Sequence, residues 1–421
     1  MTPEPRATVH GLRVAALGAV LSLVVVGFAG VWTAPAASAA DTACDPNAGQ
    51  PVAQTPPALA RLGADKAWTL ATGKGVVVAV VDSGVDAGNA HLGSVVLAGT
   101  DTLGPAGNSA GRVDEFGHGT AIAGEIAARQ VPGSGVVGLA KDATILAVRV
   151  FHAGKEDIVA GAPAADAGAD TGQIAAGIRY AAEHGAKIIN VSMSSTIDDR
   201  QMTDAVAAAT AAGALVVASA GNRLTTQDTA DSPRYPAASD GVLAVTAVNA
   251  KDAVTDASIH GAHVDVAAPG TDVLTSYFGT GDCMLAQTDA STSFATAYVS
   301  AAAALVAERF PDETPAQWAY RLEVTASRAI VGKRDDFAGW GVIRPYAALS
   351  FVDDGSAPGP VSPVFGAVPP PQAPAPAIHV GVLADPLAPA KSIASWWVLG
   401  GGTVLVGSVL VSRLKPRRRR R

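Results

Sequence analysis

The stretch Gly75-Val76-Val77-Val78-Ala79-Val80-Val81-Asp82-Ser83-Gly84 sets the fold class of this chain. Its apolar residues form a short uninterrupted run, which is typical of a parallel strand that is buried on both faces. Asp82 ends the run, so its carboxylate is predicted to lie at the carboxyl edge of a sheet, where open α/β folds bind their ligands. An acid at this place either caps the turn or takes part in chemistry.

Similar segments recur along the chain. Short runs rich in Val and Ile predict further buried strands at 145–150, 187–191, 214–220 and 242–248. Ala-rich segments with helical spacing lie between and after them, at 120–128, 173–184, 204–212 and 293–310. Gly185 and Gly213 follow two of these helices, as expected of C-caps. The alternation predicts a doubly wound, mainly parallel α/β sheet with helices on both faces.

Composition and charge exclude several classes of protein. Of the 421 residues, 49% are apolar and 16% are charged, which excludes a disordered chain and a coiled coil. The two ends hold nine of the 30 basic and one of the 37 acidic residues, so the middle carries 21 basic residues against 36 acidic ones. A balance of −15 there argues against nucleic-acid binding, which needs a basic face.

The N-terminal end resembles an export signal. Arg6 and Arg13 precede an apolar run at 14–30, and Ala37-Ser38-Ala39 supplies a small-residue cleavage site. We therefore predict a secretory signal peptide at 1–40, with an uncleaved N-terminal anchor as the alternative.

The C-terminal end resembles a membrane anchor. Residues 393–411 carry no charge and would span about 28 Å as a helix, close to a hydrocarbon core of about 30 Å. We predict a transmembrane helix at 392–412, the alternative being a buried core helix. The basic residues at 413–421 then form a cytoplasmic tail by the positive-inside rule. The protein is thus expected to cross a membrane once, with the residues between the signal peptide and this helix outside the cytoplasm.

Three parts lie between these ends. Residues 41–57 form a polar, Pro-rich N-terminal extension, 58–352 form the α/β body, and 353–391 form a Pro/Ala-rich linker. Cys44 and Cys283 would both reach an oxidising compartment, where a single disulfide could tie the extension to the body. The sequence has no CxxC or HExxH pattern, so no metal site is predicted.

Three polar residues stand where chemistry is expected. Asp82 follows the first strand, His118 lies between Gly117 and Gly119 just before a helix, and Ser293 opens the long helix near the end of the body. Taken singly, each has an ordinary structural role, such as a turn, a buried imidazole or a helix cap. Together they occur in the order Asp, His, Ser that is typical of subtilisin.

On these residues the chain resembles the subtilisin-like serine proteases, or subtilases. The matching motifs are spread over nearly the whole body. The Asp motif is matched at 80–86, the His motif at 117–120 and the Ser motif at 292–296. The oxyanion-hole segment is matched at 218–222, a core turn at 267–270 and the closing strand at 339–343. The resemblance implies a subtilisin-like fold and a serine endopeptidase acting on proteins or peptides. It implies no cofactor and leaves a structural calcium ion open.

The resemblance also implies roles for individual residues. Ser293 would attack the scissile carbonyl, His118 would take its proton, and Asp82 would orient the imidazole. Asn222 would donate its side-chain amide to the oxyanion. An extended peptide substrate would pair with the chain at the residues that we predict to form the substrate-binding edge, namely Ser192, Met193, Ser194 and Gly221.

Two positions depart from the Ser motif of the family. Ser291 and Ala297 stand where subtilases usually carry Gly and Pro. Either could reshape the turn that presents the nucleophile. The alternative function that the resemblance leaves open is a weak or inactive subtilase-shaped scaffold that stabilises a membrane secretion complex.

The order of segments is similar to that of the mycosins, the membrane-anchored subtilases of type VII secretion systems. The resemblance implies a surface protease that contacts membrane lipid through its helix and associates with the secretion complex.

Other motif matches lie in the wrong context. Gly107 to Gly111 fits the G-x-S-x-G elbow of esterases, with Ser109 as its serine, but it is predicted to be a loop. Residues 133–138 fit a dinucleotide fingerprint, yet they follow a helix. Asn190 matches a glycosylation sequon inside a predicted buried strand.

Overall fold

A computed structural model describes residue 44 and residues 49–104, 109–151, 170–223, 228–279, 281–367 and 385–414. The helices in these residues are α1 (Pro57–Arg61), α2 (Ala64–Ala67), α3 (His118–Ala127), α4 (Thr171–Glu183), α5 (Arg200–Ala211), α6 (Thr292–Arg309), α7 (Pro315–Val324), α8 (Pro345–Ser350) and α9 (Ala388–Leu414). The strands are β1 (Val77–Asp82), β2 (Val96–Asp101), β3 (Thr144–Arg149), β4 (Ile188–Val191), β5 (Leu215–Ser219), β6 (Val242–Val248), β7 (Val266–Pro269), β8 (Val273–Tyr277) and β9 (Gly281–Leu285).

Seven of these strands form one parallel sheet in the order β2-β3-β1-β4-β5-β6-β7. The predicted doubly wound parallel fold is therefore confirmed, with the predicted strands at β1, β3, β4, β5 and β6. The strand order reverses beside β1, so the carboxyl end of β1 lies where such sheets bind ligands. Asp82 is the last residue of this strand.

The run of valines in β1 is explained by burial on both faces. Val78 and Val80 pack into one apolar cluster with side chains of α3 and α6, whereas Ala79 and Val81 pack into a second cluster with α4 and α5. Successive side chains of a strand point to opposite faces, so helices on both sides require an apolar residue at every position. Gly185 and Gly213 end α4 and α5 with positive φ angles of 80° and 82°, as the sequence predicts.

Several elements differ from the sequence-based prediction. The supposed core turn 267–270 includes most of strand β7, because Val266–Pro269 pairs with β6. Within the supposed closing strand, Val342 makes only isolated bridges, to Ala267 and Ser327. The sequence prediction also lacks strand β2 and the antiparallel hairpin of β8 and β9.

The end of the N-terminal extension is attached to the β8–β9 hairpin. Cys44 and Cys283 form a disulfide with a Cα–Cα distance of 5.6 Å. Val52 donates its N–H to Asp282 Oδ2 at 2.7 Å, and the other oxygen of Asp282 lies 2.9 Å from His91 Nε2. Residues 50–52 therefore have a definite place on the body.

Helix α9 matches the predicted membrane anchor in place and character. It is longer than predicted, spanning 27 residues, and it is the one helix among the described residues that is long and apolar enough to cross a membrane. None of its side chains is buried against the rest of the chain. The predicted signal peptide at 1–40, the centre of the linker at 368–384 and the basic tail from 415 onward lie outside the described residues.

Candidate functional site

Asp82 and His118 meet at the carboxyl edge of the sheet. His118 is the first residue of α3, and its Nδ1 lies 2.8 Å from Asp82 Oδ1. The same carboxylate oxygen accepts the N–H of Ser83 at 2.7 Å. Both side chains are buried, with Asp82 at 0% and His118 at 5% exposure. A carboxylate in this position fixes the imidazole tautomer that carries its proton on Nδ1 and leaves Nε2 as the basic nitrogen.

Ser293 lies at the start of α6, the long buried helix of the body. It is the second residue of the helix, and its hydroxyl donates a hydrogen bond to the carbonyl of Ser192 at 3.0 Å. The next residue, Phe294, has its ring centroid 5.8 Å from that of His118. The structure thus places the start of α6 beside the Asp82–His118 pair. Amides at a helix N-terminus favour negative charge, so this end of α6 can stabilise an anion.

The side chain of Asn222 is held in a fixed orientation at the same place. Its Oδ1 accepts hydrogen bonds from the N–H of Thr292 at 2.8 Å and from the Thr292 hydroxyl at 3.0 Å. A backbone N–H can donate only to the oxygen of the carboxamide, so the amide nitrogen of Asn222 must point away from Thr292. Its own segment is anchored by Ile259, whose N–H donates to the Gly221 carbonyl at 2.9 Å.

The predicted substrate-binding residues lie on two segments that face each other beside Ser293. Ser192 makes two contacts with Ser293, because its carbonyl accepts the Ser293 hydroxyl and its own hydroxyl donates to the Ser293 carbonyl at 3.0 Å. Gly221 has a φ of 103°, and a Cβ added there would lie 3.2 Å from the hydroxyl of Ser194. Met193 packs its side chain in the core, so only its backbone can meet a ligand.

The neighbouring residue Ser195 does not have a free backbone edge. Its N–H and its carbonyl both pair with Tyr235, each at 2.8 Å. Both backbone groups of Ser195 are therefore already paired within the body.

The two departures from the Ser motif fit the backbone without strain. Ser291 precedes α6 with extended angles of φ −111° and ψ 127°, which any residue can adopt. The close backbone approach occurs instead at Gly270, where a Cβ would lie 2.5 Å from the Ser291 carbonyl oxygen. Ala297 is buried within the continuous helix α6. Neither residue distorts the first turn of this helix.

Sequence reasoning missed the polar residues that support the site from behind. Asn190 donates to the Ser192 hydroxyl at 2.9 Å and accepts from Ser300 at 2.8 Å, so its amide is buried in a network. Asp114 accepts hydrogen bonds from the first turn of α3 and from Ser83. The spacing of Asp114 four residues before His118 was the only signal in the sequence that could have pointed to it.

The G-x-S-x-G match around Ser109 lies only partly within the described residues. Ser109 lies in a turn in which Arg112 donates to its carbonyl at 3.0 Å, and two residues of its G-x-S-x-G match, Gly107 and Asn108, are outside the described ranges. No group of three or more His, Cys, Asp or Glu side chains in the described part of the chain is arranged to hold a metal ion.

Comparison with known proteins gives consistent matches. The profile of the Subtilase family matches residues 73–341. Mycosin-1 of Mycobacterium tuberculosis is 35% identical over 349 residues, covering 74% of this chain and 76% of the relative. Thermitase of Thermoactinomyces vulgaris is 34% identical over 250 residues, covering 59% of this chain and 81% of the relative.

Solved structures show the same similarity. The crystal structure of MycP1 with its N-terminal propeptide removed superposes with a TM-score of 0.61 at 32% identity, covering 72% of this chain and 99% of that one. The structure of the MycP3 protease from the type VII (ESX-3) secretion system superposes with a TM-score of 0.58 at 29% identity, covering 74% of this chain and 90% of that one.

Proposed function

The chain belongs to the Subtilase family of serine proteases, and from this premise we propose that it is a membrane-anchored endopeptidase with Asp82, His118 and Ser293 as its catalytic triad. The observation that carries the proposal is the buried 2.8 Å contact between His118 Nδ1 and Asp82 Oδ1 beside the N-terminus of the helix that bears Ser293. Buried His–carboxylate pairs next to a hydroxyl nucleophile are the recurring arrangement of acyl-transfer catalysts.

The proposed reaction proceeds through an acyl-enzyme. Ser293 Oγ attacks the scissile carbonyl carbon while His118 Nε2 takes the hydroxyl proton and then gives it to the leaving amine. Water, deprotonated by the same imidazole, hydrolyses the ester and regenerates Ser293. Asp82 keeps the imidazole oriented and stabilises its charged form. Before attack, the Ser293 hydroxyl has to turn from the Ser192 carbonyl to His118, an adjustment that commonly accompanies substrate binding.

The oxyanion would be stabilised by two donors. The amide nitrogen of Asn222, directed by the bond of its oxygen to Thr292, and the backbone N–H of Ser293 are proposed to bind the developing negative charge. Loss of one such donor typically costs about 3 to 4 kcal/mol in the transition state. The groups named here are all supplied by the protein, so the reaction as proposed needs no cofactor.

The substrate is proposed to be an extended peptide. It would pair with the backbone of Ser192 to Ser194 on one side and meet Gly221 on the other, next to the nucleophile. The contact of Ser192 with Ser293 supports this, because it brings one edge of the peptide-binding segment to the reacting hydroxyl.

We further propose that the catalytic body works outside the cytoplasm and is held to the bacterial membrane by α9. The length and exposure of this helix support a single span, and the basic residues that follow it support a cytoplasmic C-terminus. A signal peptide at 1–40 and a linker at 353–391 complete the proposed domain organisation. The similarity to MycP1 from the ESX-1 type VII secretion system supports association with a secretion complex of that type.

The nucleophile can be tested with a fluorophosphonate probe on the full chain in detergent. Wild-type protein should be labelled and Ser293→Ala should not. Persistent labelling of the variant would remove Ser293 from its proposed role. Absence of labelling in both proteins would favour the alternative, an inactive scaffold.

Association with a secretion complex needs a separate experiment. Gentle detergent extraction of the tagged full chain should copurify other membrane components, and a variant in which the helix at 388–414 is replaced by an unrelated anchor is the control. A protein that is always recovered alone would contradict the proposed association.

A further inference from the structure

Asp114 is a buried carboxylate with an unusually complete set of hydrogen bonds. It lies between β2 and α3 with 5% exposure. Its Oδ1 accepts from the Ser83 hydroxyl at 2.9 Å and from the N–H groups of Phe116 at 3.0 Å and Gly117 at 2.8 Å. Its Oδ2 accepts from the N–H of Thr120 at 2.8 Å and from the Thr120 hydroxyl at 2.7 Å. Five donors converge on one side chain.

Part of this set caps α3. The N-cap residue of the helix is Gly117, which has no side chain to accept the first N–H groups. Asp114 replaces the missing cap, since it binds the N–H groups of Gly117 and Thr120 on either side of His118. A carboxylate at a helix N-terminus is also favoured by the helix dipole.

The rest of the set joins this helix to the segment that follows Asp82. Ser83 is the donor to Asp114 and in turn accepts the N–H of Gly119 at 3.0 Å. Thr120 accepts the N–H of Asp86 at 2.9 Å through its hydroxyl. Asp114 therefore binds both partners of these links, Ser83 and Thr120, at once.

The two segments touch with no spare room. A Cβ added to Gly119 would lie 2.0 Å from the carbonyl oxygen of Gly84 and 3.1 Å from the Cβ of Asp82. The first turn of α3 is thus pressed against the end of β1, and a small change in this contact moves His118 relative to Asp82.

Building on the proposed function, we propose that Asp114 is a positioning residue: it clamps the start of α3 to the segment after Asp82 and so holds His118 in register with the Asp82 carboxylate. It contacts neither the substrate nor the reacting atoms in this role. It acts through Ser83 and through the backbone on both sides of His118.

Asp114 lies among other titratable groups, and the electrostatic effect of these groups on His118 must be distinguished from the positioning effect of Asp114. Asp82 ends β1, Tyr277 of β8 packs on Gly117, Glu115 pairs with Arg149 of β3 at 2.7 Å, and Glu125 lies further along α3. Burial raises the pKa of Asp114 while its hydrogen bonds to Thr120, Gly117 and Ser83 lower it, and the net shift is upward. Removal of the Asp114 charge can therefore affect His118 directly, so a test needs a variant that leaves that charge in place.

The first measurement does not depend on catalysis. In full-length Ser293→Ala protein labelled with ¹³C and ¹⁵N in histidine, NMR would follow the titration of His118 and its Nδ1 proton, which moves downfield when it is bonded to a carboxylate. We expect Asp114→Asn to broaden or lose this proton and to lower the pKa of His118, because a looser Asp82 contact stabilises the imidazolium less. Ser83→Ala removes the Ser83 bonds to Asp114 and Gly119 but retains the Asp114 charge and its bonds to Gly117 and Thr120, and it should shift both signals in the same direction.

The second measurement is made on the active enzyme. With kcat normalised to fluorophosphonate-titrated sites, we expect Asp114→Asn to lower kcat by about 10- to 100-fold, as slight misplacement of a catalytic group does, with little change in KM. The effects of Ser83→Ala and Asp114→Asn should not be additive, since both act through one link. Glu125→Gln, an acid-to-amide change within α3, is the control and should leave kcat and the His118 proton unchanged.

The results separate the two proposals. An unchanged downfield proton and His118 titration in Ser83→Ala would overturn the positioning role, and so would equal effects of Asp114→Asn and Glu125→Gln. If Asp114→Asn fails to fold, Ser83→Ala, which keeps the cap, decides by itself. A wild-type protein that fails to react with the probe but whose His118 proton depends on Ser83 would refute the proposed peptidase function and leave the positioning role intact.

Discussion

Glu125 offers a quantitative test of the core beside the candidate site. Its carboxyl group is buried in α3, with the side chain 2% exposed, and neither oxygen has a hydrogen-bond partner among the described residues. Burial raises the pKa of Glu125 well above its usual value, and nearby Tyr298 of α6 likewise has its pKa raised by burial and by the charge of Glu125. We therefore expect Glu125 to be protonated in the folded protein at neutral pH.

The sign of the pH dependence follows from this raised pKa. Above about pH 4.5 the unfolded chain releases the proton while the folded chain retains it, so the free energy of unfolding falls as pH rises toward the folded pKa. A single retained proton gives a slope of about 1.4 kcal/mol per pH unit. Glu125→Gln has no proton to release and should lack this slope. It should match wild type near pH 4 and exceed it at pH 8.

Glu125→Leu should add a second effect. It removes two buried oxygens that have no hydrogen-bond partner among the described residues. A buried polar group without a partner costs about 1–3 kcal/mol, so the substitution should stabilise the fold at every pH. The corresponding rise in Tm is about 2–4 °C per kcal/mol for a domain of comparable size. Urea unfolding of the full chain in detergent from pH 4 to 9 measures both variants against wild type. Parallel stability curves for wild type and Glu125→Gln would refute the proposed protonation of Glu125.

Three further changes have defined outcomes. Asp82→Asn should lower kcat by about 10⁴-fold with the fold retained, since it favours the wrong imidazole tautomer, and kinetics on titrated enzyme would show whether it does. Cys44→Ser should lower the free energy of unfolding by about 2–5 kcal/mol and lower Tm, because the disulfide to Cys283 closes a loop of 239 residues. Calorimetry with and without reductant measures this effect, and an unchanged Tm would contradict it. Burial lowers the pKa of His91, but its hydrogen bonds to Asp282 and to the Arg129 carbonyl outweigh burial and leave this pKa raised. The stabilisation that the His91–Asp282 pair gives the fold should therefore be complete below about pH 6.5 and fall as pH rises through the folded pKa of His91. Asp282→Asn should remove this pH dependence of stability and increase amide hydrogen exchange at residues 50–52. Exchange equal to that of wild type would count against the attachment of residues 50–52 to the β8–β9 hairpin.

The sequence predicts the centre of the fold better than its margins. Strand β1 and its neighbours are continuous apolar runs because helices cover both faces of the sheet, and this pattern can be read directly. Strand β2 was missed because it is an edge strand with an exposed, mixed sequence. Within it, a side chain at Gly99 is excluded by the neighbouring strand, since a Cβ there would lie 1.8 Å from the carbonyl oxygen of Ala147 on β3. The β8–β9 hairpin was missed because Thr275, Ser276 and Asp282 interrupt its apolar residues and its pairing is antiparallel. Helix α7 could have been found from its capping box of Thr314 and Gln317.

The candidate site divides in the same way. The sequence by itself determined which residue types end the strands and begin the helices, and their order along the chain was enough to indicate Asp82, His118 and Ser293. Only the tertiary structure decided that the Asp82 and His118 side chains, 36 residues apart, meet at 2.8 Å, and that Ser192 contacts Ser293 across 101 residues. It also decided that Asp114 binds both sides of this junction and that neither oxygen of Glu125 has a hydrogen-bond partner in the described part of the chain. The physical reason is that hydrophobic periodicity is a local property, visible in any short window of a helix or strand sequence. A buried hydrogen bond instead depends on which distant donor the packed sheet brings within about 3 Å of the acceptor.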